Sequence, residues 1–475
     1  MEENRMKKRI LAAILSAAMV MGALAGCGSS SGETSKETQN AGTTADSAAD
    51  SKTDTDAAAT GNNEDGNDTA SADSDKPAKK FKILSIWAED TKEGKLLYNL
   101  TKQYQEEVNP NFEFEFELVS ANDLTTKVAT LVASNDLPDA FAYVAGQPLT
   151  ELINADKVVN ISEQLEKLGV SDQIEEGAVT LLKGLSNTDS IYDLPLGLNI
   201  EGFWYNKKVF EDAGVEVPKT WDDLIKVCDT LKEKGVQPMS IGGSEKWPLS
   251  RLVNAYVIRT MGVDALTKAT SGEISFTDPK FAEAAKQVSD MASKGYFGEG
   301  VTTVDQTTAG NMMLAGESAM CYNGSWFTED ITSENNPAGE EGIGYFSIPV
   351  VDESVSPITE VPMNCGNILA LSKDKYDDAT ADWLKYFVEH AGDYAMKEMG
   401  SVKGYKYTVE GELSPINQVV VDTIDSVTNA ATWFEAMMNN ETKTAAQDNV
   451  QTLANGEMTP EEYMQSIQDA YDLSK

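Results

Sequence analysis

The chain has 475 residues and a formal net charge of -39, from 77 acidic and 38 basic side chains. This acidic excess disfavours a nucleic acid or an anionic membrane surface as partner and favours solubility outside the cell. The single histidine, His390, excludes Ser-His-Asp and Cys-His catalysis and histidine-based zinc sites, and no P-loop or G-x-G-x-x-G motif is present, so we expect no metal and no cofactor.

The N-terminus has the pattern of a secretory signal. Basic residues at 7–9 precede an apolar stretch at 10–23, which is shorter than the ~20 residues that cross a bilayer. The small residues that lead to Cys27 resemble the lipobox of bacterial lipoproteins. This resemblance implies that residues 1–26 are a signal peptide and that Cys27 is lipidated and begins the mature chain. A plain signal peptide, or a membrane anchor with an incidental cysteine, is the alternative.

A polar segment follows Cys27. Between positions 28 and 80 the sequence contains no Leu, Ile, Val, Met, Phe, Trp or Tyr. A segment that cannot bury apolar surface does not offset the entropy lost on ordering. We therefore expect residues 27–80 to be a disordered linker that holds a folded body away from its lipid anchor.

The folded part is expected to begin at Phe81 with alternating strands and helices. Residues 81–87 favour a strand, and residues 112–118 alternate Phe or Leu with Glu, which predicts a strand with one buried face. Apolar residues at helical spacing lie between these strands. A second helical pattern and a strand at 140–144 come next. Strand, helix, strand, helix, strand predicts a parallel, doubly wound sheet.

A second α/β unit is predicted after Pro195. Residues 203–205 and 239–241 have the composition of strands. Between them, Thr220 has the position of an N-cap for an amphipathic helix that ends at Gly235, where glycine permits the left-handed conformation. The C-terminal part is predicted to be mostly helical.

Three cysteines remain beyond the proposed lipidation site: Cys228, Cys321 and Cys365. Three thiols cannot all pair, and their scattered spacing matches no zinc pattern. We expect each to be a small buried apolar residue.

Several motifs in a fixed order resemble one family. Residues 192–197 (YDLPLG), 204–210 (WYNKKVF) and 218–224 (PKTWDDL) are similar to the mid-chain signature of family 1 extracellular solute-binding proteins. These proteins are the substrate-capturing lipoproteins of sugar ABC importers, and maltose-binding protein belongs to the same class. Further matching segments are 137–139, 315–320, 323–327 and 348–349, so that the resemblance covers nearly all of 81–475.

The resemblance implies a fold of the α/β class, periplasmic-binding-protein-like (type II), with two lobes joined by hinge strands and a helical C-terminal part. One lobe would comprise 81–194 and 350–400, and the other 195–349 and 401–475. The lobes would close on a ligand by a hinge motion and then dock on the transmembrane subunits of an ABC permease. We expect a monomer at the extracellular face of the cytoplasmic membrane of a Gram-positive-type bacterium.

A sugar site needs flat aromatic platforms for the C–H faces of a pyranose, and carboxylates or amides for its hydroxyls. Trp247 stands before Pro248 after a glycine pair, and Trp326 follows Gly324 at a strand-to-helix turn, so both are expected to stack on a sugar. Trp87 leaves the first strand at the carboxyl edge where open α/β sheets bind ligands. A core position is the alternative for all three tryptophans.

The other candidates depend more on the resemblance. Asp139 lies where the family commonly binds a hydroxyl, although a solvated loop aspartate fits as well. Trp433 resembles the late aromatic residue of the family, with helix packing as the alternative. The weaker candidates are Asn364, Gly366, Glu201 and Tyr205. Cys365 departs from the glycine or small residue that the family often has there, and Trp221 and Trp383 fall within helical stripes that predict core positions.

These observations favour a binding protein that encloses a carbohydrate, expected to be an oligosaccharide, without catalysis. Two other functions stay open. A lipid-anchored glycoside hydrolase would need only two carboxylates at a suitable distance, and acidic residues are abundant. A ligand-loaded partner of a membrane sensor would use the same closed lobes as an importer protein.

Overall fold

The computed structural model describes residues 75–121, 123–409 and 413–474. The predicted signal peptide, Cys27 and nearly all of the predicted linker lie outside these residues. The first strand starts at Lys79, slightly earlier than the expected Phe81. Within the described ranges, no helix combines the length and the apolar character needed to cross a membrane.

Strands and helices alternate through the described chain. The strands are β1 (Lys79–Ser85), β2 (Phe112–Leu118), β3 (Ala140–Val144), β4 (Asn199–Asn206), β5 (Gln237–Ser240), β6 (Ser318–Gly324), β7 (Ile343–Phe346), β8 (Glu360–Asn364), β9 (Asn367–Leu371) and β10 (Asn429–Ala431). The helices are α1 (Lys92–Glu107), α2 (Leu124–Ala133), α3 (Gln147–Asn154), α4 (Ile161–Leu168), α5 (Glu176–Ser186), α6 (Lys207–Ala213), α7 (Trp221–Glu233), α8 (Trp247–Met261), α9 (Ala265–Thr270), α10 (Pro279–Ser293), α11 (Gln306–Leu314), α12 (Thr328–Ile331), α13 (Asp378–Tyr394), α14 (Pro415–Ser426), α15 (Asn440–Ala454) and α16 (Pro460–Leu473).

The first sheet confirms the predicted parallel unit. Its strand order is β2-β1-β3-β9, with β1 parallel to both β2 and β3. Ile83 of β1 lies opposite Phe116 of β2 and Ala140 of β3. At the edge, β2 buries Phe112, partly buries Phe114 and Phe116 and leaves Leu118 60% exposed, so the burial of its apolar face decreases along the strand.

The second sheet is mixed rather than parallel. Its order is β10-β8-β4-β6-β5, and β7 also pairs with β4. Strand β4 is antiparallel to β6, β7 and β8, whereas β5 and β6 are parallel. Both Phe203 and Trp204 of β4 are buried, so the sequence of this strand does not alternate between polar and apolar residues. The directions of its neighbouring strands therefore cannot be predicted from that pattern.

The described chain passes between the two sheets three times. It leaves the first sheet after Leu194, which pairs with Leu369 of β9, and enters the second at β4. It returns through Cys365, between β8 and β9, and leaves again between α13 and β10. Strand β8, which the predicted boundary at 350 would place in the first lobe, therefore belongs to the second sheet. The folded residues form one compact unit by their contacts, and the lobe boundaries stay a prediction.

Several local predictions are confirmed. The Thr220 hydroxyl caps α7 by accepting a hydrogen bond from the Asp223 N–H at 3.2 Å, and Gly235 after that helix has φ of +77°. Trp221 and Trp383 are buried in the two apolar cores. The three remaining cysteines, Cys228, Cys321 and Cys365, are free and buried.

Candidate functional site

Helix α8 begins with Trp247, and the turn before it sets the position of this side chain. Lys246 has φ of +69°, an uncommon left-handed conformation for a residue with a side chain. Pro248 sits in the first helical turn, where a missing N–H is tolerated. The chain thus reverses sharply and leaves the Trp247 indole half-buried at the helix N-terminus.

Trp326 reaches the same place from the end of β6. Its indole folds back over Gly324, where an added Cβ would lie 2.0 Å from a ring carbon. Only glycine permits this approach, which explains the Gly324-Ser325-Trp326 sequence. The ring centroids of Trp247 and Trp326 are 6.0 Å apart at an interplanar angle of 66°, an edge-to-face pair.

Arg251 lies one helical turn after Trp247 on α8, so the two side chains share a helix face. Its guanidinium carbon is 4.5 Å from the centre of the Trp247 ring and 5.9 Å from that of Trp433. A cation at such a distance is attracted by the face of an indole. The arginine therefore connects the tryptophan of α8 with the tryptophan of the C-terminal part.

Glu201 is the buried anion that faces Arg251. It lies on β4 directly opposite Gly324 and accepts a hydrogen bond from Arg251 Nη1 at 2.6 Å. Asn364 Nδ2 donates to the same oxygen at 2.8 Å, and the Tyr322 hydroxyl donates to the other at 3.3 Å. Burial raises the pKa of Glu201, and although Arg251 opposes this effect the net shift is upward.

A second carboxylate, Glu435, lies on the other side of Arg251. Its Oε2 is 3.9 Å from Arg251 Nε, and its Oε1 accepts a hydrogen bond from the Ser250 hydroxyl. Lys443 also interacts with Glu435, and burial lowers the pKa of this lysine. Arg251 and Lys443 thus accompany the two anions Glu201 and Glu435, and the four formal charges cancel.

We call this assembly the Arg251 cluster. Its members are Trp247, Trp326, Trp433, Arg251, Glu201, Asn364, Glu435 and Lys443. Five of the predicted site residues therefore come together, although their roles stay a prediction. Sequence reasoning missed Arg251, Glu435 and Lys443. The spacing of Arg251 from Trp247 was the one signal in the sequence that could have pointed to it.

A polar turn next to the cluster holds the Asn364 side chain in position. The N–H of Gly366, which has φ of +68°, donates to Asn364 Oδ1 at 2.8 Å, and Asn199 Nδ2 donates to the same oxygen at 3.3 Å. The Ser325 hydroxyl completes the link by donating to Asn199 Oδ1 at 3.2 Å. Gly366 therefore orients Asn364 through its backbone.

The remaining candidates have other partners. Asp139 is buried before β3, at the amino end of the first sheet, where its carboxylate pairs with Lys79 at 2.8 Å and accepts the Lys82 N–H at 3.0 Å. Tyr205 packs against Phe210 near the far end of β4. Trp87 is half-buried beyond the carboxyl end of β1, as predicted, and packs against the first core.

A narrow crevice beside Trp326 is lined by residues from both halves of the fold, one built on the first sheet and the other on the second. Lys92 and Glu93 come from α1, whereas Glu329 comes from α12. Its volume of about 30 Å³ holds little more than one water molecule. Lys403 closes it through an ion pair with Glu93 at 2.6 Å. The two halves are thus in close contact here.

No metal site is visible in the part of the chain that the structure describes. There, no group of three or more His, Cys, Asp or Glu side chains is arranged to hold a metal ion. The carboxylates of the Arg251 cluster are instead held by nitrogen and hydroxyl donors.

The fold and the motifs match a known family. The sequence profile described as bacterial extracellular solute-binding protein matches residues 88–394, well over half of the chain. The chain belongs to this family. The match covers α1 through α13 and therefore includes Glu201, Trp247, Arg251 and Trp326.

Curated relatives of this solute-binding protein support the assignment. An uncharacterized ABC transporter extracellular-binding protein of Pyrococcus horikoshii is 26% identical over 235 residues, which are 49% of this chain and 54% of the relative. The multiple sugar-binding protein of Streptococcus mutans is 25% identical over 266 residues, 53% of this chain and 59% of the relative. The chain thus spans little more than half the length of these two relatives.

Solved structures extend the likeness to the whole folded body. A chitin oligosaccharide binding protein has a TM-score of 0.75 and 25% identity, and the alignment covers 83% of this chain and 98% of that protein. Maltose-bound MalE3 of T. maritima has a TM-score of 0.64 at 17% identity, over 83% of this chain and 100% of that one. The solute-binding protein therefore has the mixed α/β, two-sheet fold of this class.

Proposed function

We propose that this protein captures a carbohydrate at the Arg251 cluster and delivers it to an ABC importer. One observation carries the proposal: the edge-to-face pair of Trp247 and Trp326 lies against a buried ion pair of Arg251 and Glu201. Indole faces suit the C–H surface of a pyranose, and charged groups make the strong hydrogen bonds that its hydroxyls accept and donate.

The cluster also retains unused hydrogen-bonding capacity. Arg251 Nε makes no hydrogen bond, because Glu435 is too far away for one. The side-chain oxygens of Asn254 and Thr432, which adjoin the cluster on α8 and before Trp433, are also unpaired. Buried polar groups without partners are costly, so a ligand hydroxyl or water that satisfies them contributes to affinity.

The charge balance favours a neutral carbohydrate. Arg251 and Lys443 are matched by Glu201 and Glu435, so a uronate or an amino sugar would add an uncompensated charge. The structural relative named for a chitin oligosaccharide agrees with a neutral ligand longer than one ring. We therefore propose a neutral oligosaccharide as the ligand.

The carboxylates of the cluster are better suited to holding a ligand than to catalysis. Glu201 already accepts hydrogen bonds from Arg251, Asn364 and Tyr322, and Glu435 accepts one from Ser250. A glycosidase needs one carboxyl that is free to give its proton to the leaving oxygen. We propose that no bond is made or broken in this protein.

Transport would need an anchor and a partner. We propose that a lipid on Cys27 holds the mature chain at the extracellular face of the membrane, and that residues 27–80 act as a tether. The closed protein, as a monomer, would dock on the permease subunits of the importer, while ATP hydrolysis takes place on a separate subunit. Ligand would favour the closed form because only there it contacts both halves.

A thermal-shift and hydrolysis screen tests the proposal. Purified protein is mixed with chito-, xylo- and malto-oligosaccharides of two to six units, and with glucuronate and glucosamine as charged controls. A neutral oligosaccharide at about 1,000 times its Kd should add about 4 kcal/mol of stability, with no shorter products by chromatography. Released products would favour the hydrolase, and no stabilisation by any sugar would refute carbohydrate capture.

A further inference from the structure

A buried carboxyl group lies outside the Arg251 cluster and has no role in sugar capture. Asp193 is fully buried, and neither carboxylate oxygen has a hydrogen-bond partner. The N–H groups of Tyr192 and Asp193 itself lie near the carboxylate, but without the geometry of a hydrogen bond. An ionised carboxylate in such a place is strongly disfavoured.

Two other buried titratable groups face Asp193. The charge of Asp193 acts on the Cys365 thiol and on the Tyr405 hydroxyl, and both groups are fully buried. The Tyr405 hydroxyl also lacks a hydrogen-bond partner. Among the described groups that shift the pKa of Asp193, no Lys or Arg side chain is present to compensate its charge.

These three residues, which we call the hinge cluster, lie beside the first core, next to the three segments that pass between the sheets. Asp193 precedes the Leu194 pair at the first passage, Cys365 stands alone between β8 and β9 at the second, and Tyr405 lies in the third. The first and third segments touch: a Cβ on Gly404 would lie 3.0 Å from the Pro195 ring. A motion of one half against the other must bend these three segments, which adjoin the hinge cluster.

We propose that Asp193 is a proton-binding site through which pH controls the opening of the two halves. In the closed form the site is dry and takes the neutral acid. Opening shifts the three segments and admits water, which stabilises the carboxylate. Closure is thus coupled to the uptake of one proton at Asp193, and the inference rests on the proposed closure around a ligand.

The direction of the pH effect follows from linkage. Burial raises the pKa of Asp193 to about 7, whereas its ordinary value is 3.8. Between the pKa of the open form and about 7, the closed form holds a proton that the open form lacks. In that window, ligand affinity falls as pH rises, by at most tenfold per pH unit. Above about 7 both forms are ionised and the affinity levels off.

Paired spin labels test the opening without any sugar. In a chain that carries Cys27→Ser, Leu118→Cys at the end of β2 and Val217→Cys between α6 and α7 provide exposed sites in the two halves, while Cys228, Cys321 and Cys365 are buried. We expect the longer label distance to gain population several-fold between pH 5.5 and 8. Asp193→Asn should remove this response, and Tyr405→Phe, the matched control, should retain it.

The outcomes separate this inference from sugar capture. A distance distribution that ignores pH, or an equal pH response in Asp193→Asn, would overturn the inference even if sugars bind. If the amide does not fold, Asp193→Leu supplies an uncharged side chain of similar size. A pH response without binding of any oligosaccharide in the panel would refute carbohydrate capture alone. With a bound oligosaccharide, calorimetry in two buffers at pH 6 should show proton uptake that Asp193→Asn lacks.

Discussion

The Arg251 guanidinium carbon lies 4.5 Å from the centre of the Trp247 ring, and Nη1 of the same arginine is 2.6 Å from Glu201. One side chain thus fixes the orientation of an aromatic platform and neutralises a buried anion of another strand. The platform comes from α8 and the anion from β4, so Arg251 joins these two elements.

Removing this arginine should cost stability as well as affinity. Arg251→Met leaves Glu201 buried without its cation, and breaking a buried pair in this way costs about 3–5 kcal/mol. The double variant Arg251→Met with Glu201→Gln should recover part of the loss, because no charge is then left uncompensated. Urea denaturation measures both. Lys208→Met, which removes an exposed pair with Asp212, is the control and should change stability by about 0.5 kcal/mol or less.

Trp247 should be needed for binding but not for folding. Trp247→Ala removes the half-buried ring that pairs with Trp326, and the loss of such an anchor costs about 2 kcal/mol, or roughly 30-fold in Kd. Titration calorimetry with the oligosaccharide found in the screen measures the change. Tyr407→Ala removes an exposed aromatic residue outside the cluster and should leave Kd unchanged. Equal affinities of the Trp247 variant and the natural protein would contradict the proposed site.

Gly324 should be intolerant of a single methyl group. In Gly324→Ala the new Cβ would lie 2.0 Å from the Trp326 indole, so the ring must move or the strand must shift. We expect a loss of about 1–3 kcal/mol of stability together with weaker oligosaccharide binding. Gly177→Ala in α5 meets open space and should be neutral or slightly stabilising. Unchanged affinity in Gly324→Ala would show that the position of Trp326 is unimportant.

Two aromatic residues of the proposed site could be predicted from the sequence because chain breakers mark them. Trp247 lies between a glycine pair and Pro248, and Trp326 follows Gly324, so neither fits a helical or strand stripe. Arg251 carries no such mark, since an arginine on an amphipathic helix normally faces solvent. Its partner Glu201 is distant in the sequence and depends on how α8 lies over β4. Long-range packing of this kind is not encoded in local periodicity.

The parallel arrangement of β1, β2 and β3 was predictable from local pattern, whereas the strand order and the antiparallel β9 were not. The alternation of Phe with Glu from 112 to 118 and the helices between strands fix a parallel unit. In the second half, β4 is buried on both faces and its direction is hidden. Asp193 belongs to the YDLPLG motif, yet nothing in that motif indicates full burial, because aspartate is usually exposed.

Membrane attachment should depend on one atom. Cys27→Ser leaves the signal-peptide sequence unchanged but removes the thiol to which the lipid would be attached. A single change of sulfur to oxygen should therefore move the protein from the membrane fraction of the producing cells to the medium. Cys228→Ser, a change in a buried thiol of the folded part, should leave the protein in the membrane fraction. Retention of the Cys27 variant in the membrane would contradict lipidation at this residue.

The buried acid should also leave a signature in the pH dependence of stability. Because the folded pKa of Asp193, about 7, exceeds the ordinary value of 3.8, the folded chain binds this proton more tightly than the unfolded chain. Its contribution is fully present below pH 3.8 and is lost as pH rises towards 7. Asp193→Asn has no such contribution to lose. The difference in free energy of unfolding between this variant and the natural protein should therefore increase by about a few kcal/mol, in favour of the variant, between pH 5 and 8. Urea denaturation measures this difference. Tyr405→Phe should retain the natural slope, and identical slopes in all three proteins would mean that Asp193 is hydrated and ionised in the folded state.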